Sequence, residues 1–341
     1  MKDTSSDIYY VTGGAGFIGR HFNNLLDEGN VTNIDIRVQK VVPNQVYGDI
    51  RKIQDIRNSI GDANIIVHLA AAHYDFEKDY FATNVEGTKN LLKVADEQNI
   101  DRFVFYSSVA VYGQNEEPAH EGTAPNPDND YGRSKLEAEK LIKEWAEQKP
   151  ERKVLFIRPA VVFGPHNFGN LFNLTRNIDR GLNFHIGRKP VIKSLAYVEN
   201  LVEATHYLIH NMTEKSQTFN YVDNPQLTNF DISNNISAAF GQRKSLTISY
   251  PLALLLGYFF DLIGKFIDKE LMISVKRVKK FCTPTHFNAD KVFETGFKPR
   301  FTTVRALEYT TRWYIENREV WTKEHEMLKK LFRKNYGITI E

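Results

Sequence analysis

The feature that most constrains this chain is a cluster of glycines near its N-terminus. The segment Val11–Gly19 follows a short apolar run and leads into an amphipathic stretch. Gly13 permits a tight turn, Gly16 lets the backbone approach a phosphate, and Gly19 lets a following helix pack closely on the preceding strand. The N-terminus of that helix offers free N–H groups and a partial positive charge to an anion. The pattern therefore predicts a strand–turn–helix unit that binds a pyrophosphate.

Beyond this turn, the N-terminal half alternates short apolar runs with amphipathic stretches, which is typical of βαβ units and a parallel sheet. We predict strands at Ile8–Thr12, Val31–Ile36, Ile65–Leu69, Phe103–Ser107 and Val154–Ile157, and helices at Phe17–Asp27, Asn84–Glu97, Tyr131–Gln148 and Asn317–Arg333. After residue 165 the rhythm loosens and Gly and Asn become frequent. The predicted fold class is α/β: a doubly wound parallel (Rossmann) sheet in residues 1–165, and a smaller α/β substrate-binding domain in residues 166–341 with some segments returning to the sheet.

The second predicted strand ends in an acid, Asp35. A carboxylate at this position accepts hydrogen bonds from the adenosine ribose and repels a 2′-phosphate, which favours NAD over NADP. Arg37 leaves NADP open, because arginine can accommodate that phosphate, although a surface cation or a side chain stacked on adenine is an equally good interpretation. We predict NAD.

A phenol and an ammonium lie four residues apart, at Tyr131 and Lys135, so both face the same side of a helix. A phenol of reference pKa about 10 is a poor base near neutrality, and a close cation favours the phenolate. Ser108, at the carboxyl end of a predicted strand, can hydrogen-bond a reacting oxygen. The spacing of Tyr131 and Lys135 is common on helix surfaces, but with the glycine turn and Ser108 it predicts hydride transfer at an alcohol carbon.

Composition excludes several other classes of protein. A net charge of +2 over 341 residues gives no broad nucleic-acid-binding face, and the single cysteine, Cys282, cannot form an internal disulfide. The first residues lack the pattern of a signal peptide, and the apolar run Pro251–Phe260 is too short to cross a bilayer. We therefore expect a cytoplasmic protein. His68, His73 and His166 lack carboxylate or cysteine partners at metal-binding spacing, so no metal is expected.

Together these residues resemble the extended short-chain dehydrogenase/reductase family of nucleotide-sugar epimerases and dehydratases. The motifs that carry the likeness are Gly13–Gly19, Gly48–Ile50, His68–Ala71, Asn84–Thr88, Ser107–Gly113, Tyr131–Lys135 and Arg158–Pro165. The resemblance implies a catalytic set of Ser108, Tyr131 and Lys135. With the residues argued above, it implies this NAD-binding set: Gly13, Gly16, Phe17, Ile18, Gly19, Asp35, Ile36, Arg37, Asp49, Ile50, Leu69, Ala70, Ala71, Asn84, Ser107, Tyr131, Lys135 and Pro159.

The residues after Ser108 narrow the reaction. Dehydratases that resemble this chain carry an acidic pair there to expel water, whereas this chain has Val109 and Ala110. A 4-epimerase needs no such acids, because it oxidises a sugar carbon and returns the hydride to the opposite face. We therefore favour an epimerase. A net oxidoreductase of a keto-sugar or sterol-like alcohol, and a non-catalytic NAD-binding scaffold, remain alternatives.

The second half is similar to a bacterial subgroup that epimerises N-acetylglucosamine linked through diphosphate to undecaprenol, for O-antigen (lipopolysaccharide) assembly. The similar segments are Phe168–Asn173, Lys193–Val198, Asn220–Asp223 and Ser274–Cys282. The resemblance implies that Ser108, Asn170 and Lys193 contact the substrate. Arg277 and Lys280 belong to a basic cluster that could pair with a diphosphate or could be a solvated face. Undecaprenyl diphosphate and UDP both remain open as the carrier.

Residues 250–266 are apolar nearly all round. A helix packed in the core or between subunits is the simpler interpretation, and a helix in the membrane interface is the alternative. An exposed position would favour peripheral contact with the inner face of the cytoplasmic membrane. Family members often pair through helices equivalent to Asn84–Glu97 and Tyr131–Gln148, so a homodimer is expected. Asp75 and Glu77 could reach a sugar, although a solvated loop is the default interpretation.

Overall fold

The structure is a computed structural model that describes residues 6–37, 42–73, 79–187, 189–242, 246–267 and 274–336. Its strands are β1 (Tyr9–Thr12), β2 (Val31–Asp35), β3 (Gln45–Tyr47), β4 (Ile65–His68), β5 (Arg102–Tyr106), β6 (Lys153–Pro159), β7 (Val161–Phe163), β8 (Phe184–Ile186), β9 (Ile192–Lys193), β10 (Leu195–Tyr197), β11 (Ser216–Tyr221), β12 (Leu227–Thr228) and β13 (Leu246–Ile248). Its α-helices are α1 (Phe17–Asn23), α2 (Ile53–Arg57), α3 (Gly87–Glu97), α4 (Asp130–Glu147), α5 (Asn170–Asp179), α6 (Val198–His210), α7 (Asn229–Ala239), α8 (Tyr250–Ile267), α9 (Val275–Cys282), α10 (Asp290–Glu294), α11 (Thr303–Glu316) and α12 (Arg318–Tyr336).

A parallel sheet organises the N-terminal half, with the strand order β11-β6-β5-β4-β1-β2-β3. The order reverses between β1 and β4, where Thr12 lies opposite Ile34 on β2 and opposite His68 on β4. Ligands of open parallel sheets bind outside the carboxyl ends of the strands at such a reversal. The glycine turn follows β1 directly and lies at this point. The predicted doubly wound α/β fold is confirmed.

Helices cover both faces of the sheet, so its central strands are buried on each side. Tyr9 and Val11 of β1 pack in one core, whereas Tyr10 between them packs in the other. This alternation follows from the two-residue period of a strand, and burial on both faces explains the continuous apolar runs in the sequence. The second core includes residues of α3 and α4, such as Leu91 and Ile142.

The predicted boundaries are correct to within two residues for most elements, with two informative exceptions. Helix α1 ends at Asn23 rather than at Asp27, because the N–H groups of Leu25 and Leu26 bond three residues back and the chain leaves the helix. The helix predicted from Asn84 begins as α3 at Gly87, after a wide helical turn at Ala82–Glu86.

The apolar residues Trp321, Met327, Leu328 and Leu331 predict that the C-terminal helix α12 docks by one narrow face, and its observed packing differs. Trp321 is buried as expected, but Met327, predicted on the same apolar face, is 62% exposed. His325 is buried instead, with its ring 5.4 Å from that of Phe172. Docking of this helix therefore depends on a histidine that the hydrophobic pattern does not reveal.

The chain beyond residue 165 is connected to the central sheet. Strand β11 pairs in parallel with β6, from Ser216 opposite Val154 to Tyr221 opposite Pro159. A segment of the later chain is thus part of the central sheet. Division of the chain near residue 165 into an NAD-binding and a substrate-binding domain remains our proposal.

A buried ion pair fastens α4 to the sheet. The Arg158 guanidinium on β6 donates to both carboxylate oxygens of Glu139 on α4, at 2.8 and 2.5 Å. A third N–H of Arg158 donates to the Tyr112 hydroxyl at 2.8 Å, and that hydroxyl donates to Asn220 Oδ1 on β11 at 2.8 Å. This network therefore holds α4, β6 and β11 in one arrangement.

Replacement of Glu139 by glutamine should destabilise the fold strongly, because it leaves the buried Arg158 charge without its counterion. We expect the free energy of unfolding to fall by about 3 kcal/mol or more, measured by urea denaturation. Glu97→Gln is the matched control, because Glu97 pairs with Arg57 in an exposed bidentate contact. It should change stability little. Equal effects of the two variants would contradict the assigned role of the buried pair.

Candidate active site

A side chain at Gly13, Gly16 or Gly19 would clash with backbone atoms of the protein. Gly13 has a φ of +73°, and its N–H donates to Ile34 O at 2.9 Å. A Cβ on Gly13 would lie 2.6 Å from the backbone nitrogen of Ala70, and a Cβ on Gly19 would lie 2.5 Å from Gly13 O. A Cβ on Gly16 would lie 2.9 Å from the same oxygen. The turn therefore brings bare backbone to the carboxyl end of β1, as a pyrophosphate site requires. The half-buried Phe17 and Ile18 begin α1 directly after it.

Asp35 lies at the end of β2 beside this turn. Its Oδ2 accepts from the N–H of Ala15 at 3.1 Å, and its Oδ1 accepts from the N–H of Arg37 at 2.9 Å. The Arg37 Nε lies 3.4 Å from the same Oδ1, with the arginine side chain partly exposed. Ile36 is exposed between them. The Asp35 carboxylate is thus bonded both to the glycine turn and to Arg37, which contacts it through Nε.

Asp49 and Ile50, which belong to the implied NAD-binding set, lie farther along the same edge of the sheet. Hydrogen bonds from Arg51 to Asp49 are as short as 2.5 Å. Burial opposes ionisation of Asp49, but these hydrogen bonds outweigh it and hold the pKa of Asp49 below its ordinary value. Ile50 is buried against Gly87, where an added Cβ would lie 2.6 Å from the Ile50 side chain.

The side-chain amide of Asn84 links the loop after β4 to helix α4. Its amide bonds the N–H and the carbonyl of Ala72 at 2.8 and 3.0 Å, and donates to Ser134 Oγ at 2.9 Å. The side chain therefore ties the loop after β4, which includes the half-buried Leu69, Ala70 and Ala71, to α4. Asp75 and Glu77, farther along that loop, lie outside the described residues.

Ser107 provides an independent test of whether a dinucleotide fits here. It follows β5, its N–H donates to Ile157 O at 2.8 Å, and its hydroxyl is buried without a hydrogen-bond partner. Such an orphaned polar atom calls for a ligand or water. Pro159 ends the neighbouring strand β6 and is also buried. The bare glycine turn, Asp35 and this hydroxyl are the groups that a dinucleotide needs, so the residues fit NAD.

The three predicted catalytic residues come together. Tyr131 and Lys135 lie in the first turns of α4, and Ser108 lies close enough to the Tyr131 phenol to lower its pKa. Ser108 is half-exposed directly after β5, and its Oγ accepts from the N–H of Ala110 at 3.1 Å. The buried Lys135 ammonium donates to Tyr106 O at 2.8 Å. A reacting oxygen placed between Ser108 and Tyr131 would meet two hydroxyl groups.

The pKa of Tyr131 is raised, contrary to the expectation that a nearby cation lowers the pKa of this phenol. Burial raises the pKa of Tyr131 to about 12, although the hydrogen bond from Ser108 acts in the opposite direction. Burial also lowers the pKa of Lys135 to about 7, against the attraction of Glu139. The Lys135 Nζ is directed at the carbonyl of Tyr106, and burial has the largest effect on the pKa of Tyr131.

The structure brings only some of the proposed substrate residues close to one another. Lys193 on β9 donates to the backbone carbonyls of Lys280, at 2.9 Å, and of Thr283, and burial lowers the pKa of Lys193 to about 8. Arg277 and Lys280 are exposed on α9. Asn170 is the exposed first residue of α5, and among the described residues its side chain makes no hydrogen bond to the other three.

Sequence reasoning missed two neighbours of the catalytic helix. Glu139 lies one turn after Lys135 on the same helix face, and that four-residue spacing is a signal that could have found it. Tyr80 lies with its ring 6.2 Å from that of Tyr131 and raises the pKa of that phenol. No local pattern marks Tyr80. His68, by contrast, is buried and bonded to Thr12 and Thr88, so it is a structural residue.

This fold and this site define a dinucleotide-dependent enzyme with a serine, a tyrosine and a lysine at the reacting centre. The chain belongs to the NAD dependent epimerase/dehydratase family, whose model matches residues 9–221.

Three known proteins show how far the likeness extends. The N-acetyl-α-D-glucosaminyl-diphospho-ditrans,octacis-undecaprenol 4-epimerase of Escherichia coli O157:H7 is 34% identical over 90% of this chain and 95% of its own. A decarboxylating sterol-4-α-carboxylate 3-dehydrogenase of Candida albicans is 27% identical over 90% of this chain and 97% of its own. The crystal structure of Thermus thermophilus UDP-glucose 4-epimerase with NAD superposes with a TM-score of 0.69 at 20% identity, covering 90% of this chain and 98% of its own. The last comparison supports the fold alone.

Gly19→Ala should destabilise the protein and weaken NAD binding, because its Cβ would meet the backbone of the glycine turn. We expect a loss of about 1–3 kcal/mol in the free energy of unfolding, with weaker NAD binding measured by calorimetry. Gly29→Ala is the control, since a Cβ there meets nothing within 4 Å. It should leave both quantities nearly unchanged. Wild-type NAD binding by Gly19→Ala would refute the assigned role of the turn.

Proposed function

We propose that this protein is an NAD-dependent 4-epimerase of an N-acetylhexosamine linked through diphosphate to undecaprenol. The observation that carries the proposal is the proximity of Ser108 to the Tyr131 phenol, with the buried Lys135 one turn farther along the same helix and two residues after Ser108 that cannot act as acids. Val109 is buried and Ala110 half-buried in the short helical turn after Ser108. Water elimination would need an acid in this turn, whereas epimerisation does not.

In the proposed reaction, NAD held by the residues described above would supply reversible hydride transfer at C4 of the sugar, from one face and then to the other. Tyr131 takes the proton of the C4 hydroxyl as the C–H bond breaks and gives it back on return. Ser108 donates a hydrogen bond to the same oxygen and stabilises the charge that develops on it. Lys135 fixes the end of β5 through Tyr106 O and adds positive charge when protonated. No net oxidation results, so no external reductant is needed.

The E. coli relative supports the lipid carrier, because its sugar is attached through diphosphate to undecaprenol and the likeness extends over 90% of this chain. The proposed substrate residues Asn170, Lys193, Arg277 and Lys280 all lie in the half of the chain that would receive the carrier. Such a substrate places the reaction at the inner face of the cytoplasmic membrane, with the protein cytoplasmic and peripheral, in the assembly of O-antigen. No helix in the described part of the chain is long and apolar enough to span a bilayer.

A homodimer through α3 and α4 remains a prediction. The outward faces of these helices carry the charged side chains of Lys89, Lys93, Glu97, Lys140, Lys143 and Glu147. Such an interface would depend on complementary charge rather than on apolar burial, and salt should weaken it.

The second candidate is a net oxidoreductase of a sterol-like alcohol. The likeness to the Candida albicans sterol dehydrogenase, over 90% of this chain, favours it, and the same serine, tyrosine and lysine would serve it. Cofactor handling separates the two candidates. A dehydrogenase forms NADH in proportion to product, whereas an epimerase forms an epimer with no net NADH.

Tyr131→Phe should lower epimerase turnover by about 10³-fold, because general acid–base catalysis by a side chain contributes about 10² to 10⁴-fold. The assay follows interconversion of gluco and galacto epimers, with NADH monitored at the same time. Tyr309→Phe removes a phenol from an exposed position on α11 and should be silent. Stoichiometric NADH without an epimer would overturn the proposed reaction in favour of the second candidate.

The carrier is tested by offering the same N-acetylhexosamine on undecaprenyl diphosphate and on UDP to one enzyme preparation. We expect faster turnover of the lipid-linked sugar, because the cations of the second half lie beside an exposed apolar helix. Turnover of the UDP-linked sugar alone would retain the epimerase and exclude the lipid carrier.

A further inference from the structure

The apolar helix α8 is not packed in the core. Large apolar side chains along one face are exposed: Leu252 by 48%, Leu255 by 65%, Phe259 by 57% and Leu262 by 55%. Their spacing of three, four and three residues puts them in one stripe along the helix. Tyr258 beside the stripe is 61% exposed. The simpler interpretation from sequence, a core helix, is therefore wrong for this face of α8.

The opposite face of α8 is occupied by α9. An added Cβ on Gly257 would lie 3.0 Å from the backbone nitrogen of Val275, so the two helices cross closely there. The Asp261 carboxylate accepts from the N–H of Val275 at 3.1 Å. Because the one acid of α8 is used to cap α9, the exposed stripe carries no negative charge.

Helix α9, which packs on α8, carries a cluster of positive charge. Lys276, Arg277, Lys279 and Lys280 are exposed, whereas Val278 between them is buried. The helix contains no acid. A cavity of about 570 Å³ opens next to this pair of helices, and its lining includes Tyr250 of α8, Lys279 of α9 and Lys189.

We propose that the apolar stripe of α8 docks on an anionic phospholipid bilayer, toward which the cations of the adjoining helix α9 draw the chain. Apolar side chains near lysine and arginine are the composition of helices that lie in the interface of such membranes. A second copy of this chain fits less well, because it would bring the cations of both copies near one another. The inference deepens the peripheral membrane contact in the proposed function, but docking itself requires no substrate.

A short segment after α9 connects this surface to the candidate active site. Thr285 bonds the backbone of Ile192 and Ser194, on either side of Lys193, at 3.0 and 2.7 Å. The ring of Phe287 then lies 6.2 Å from that of Tyr112, which ends the turn after Ser108. A bilayer held at α8 and α9 would therefore lie at a fixed place relative to the reacting groups.

Sedimentation with lipid vesicles tests the proposal on the full chain. The wild type should sediment with vesicles containing phosphatidylglycerol, and less with pure phosphatidylcholine. The double variant Leu255→Glu with Phe259→Glu should lower the bound fraction at least tenfold. Met327→Glu is the matched control, because Met327 is exposed to a similar extent, 62%, on the remote helix α12. Lys279→Gln with Lys280→Gln should weaken binding to the anionic vesicles and make it less sensitive to salt.

Absence of wild-type binding, or equal loss in the α8 variant and in Met327→Glu, would overturn the proposal. Concentration-dependent dimers that the α8 variant abolishes, without vesicle binding, would assign the face to a second copy and also overturn it. Circular dichroism and thermal unfolding verify that the variants fold. Epimerase turnover in detergent tests the reaction separately: a wild type that turns over substrate but does not bind vesicles refutes only the surface, and a wild type that binds vesicles without turnover refutes only the proposed function.

Discussion

The buried pair of Arg158 and Glu139 is the interaction on which the geometry of the site depends. Desolvation of two charges is costly, and only a well-formed, fully bonded contact recovers that cost. Here the guanidinium is held by two carboxylate oxygens and by the hydroxyl of Tyr112. Each partner lies on a different part of the chain, so the contact forms only when α4, β6 and the turn after Ser108 are in place. The positions of Tyr131 and Ser108 follow from this requirement.

The same pair shapes the charge near the reacting phenol. Glu139 lies one turn from Lys135 and favours its protonated form, whereas burial acts against it and wins, leaving a pKa of about 7. The ammonium is directed at Tyr106 O, and burial raises the pKa of Tyr131 to about 12. Positive charge brought close to the phenol would favour its phenolate form. Spacing in the sequence identifies the residues of the reaction, but not the balance of charge and burial that sets their pKa values.

Local constraints explain which features the sequence could predict. The glycine turn, Asp35 and the Tyr131–Lys135 helix each depend on a few neighbouring residues, and the structure places them as expected. Contacts between distant segments were not predictable in this way. Arg158 and Glu139 are 19 residues apart, and His325 of α12 is buried where the pattern indicated Met327. The orientation of α8 was likewise open, because a helix that is apolar all round has no polar face to mark the solvent side.

The exposed stripe of α8 requires a physical explanation of its own. A stripe of large apolar side chains in water is unfavourable by about 25 cal/mol per Å² of apolar surface, and a monomer rarely keeps a large one without a use. In the described part of the chain, Gly257 and Asp261 commit the other face of α8 to α9. This packing fixes which face of α8 points outward and holds a basic helix against the inner face. Local packing accounts for the exposure, and the proposed anionic bilayer gives a use both to the stripe and to the cations of the adjoining helix.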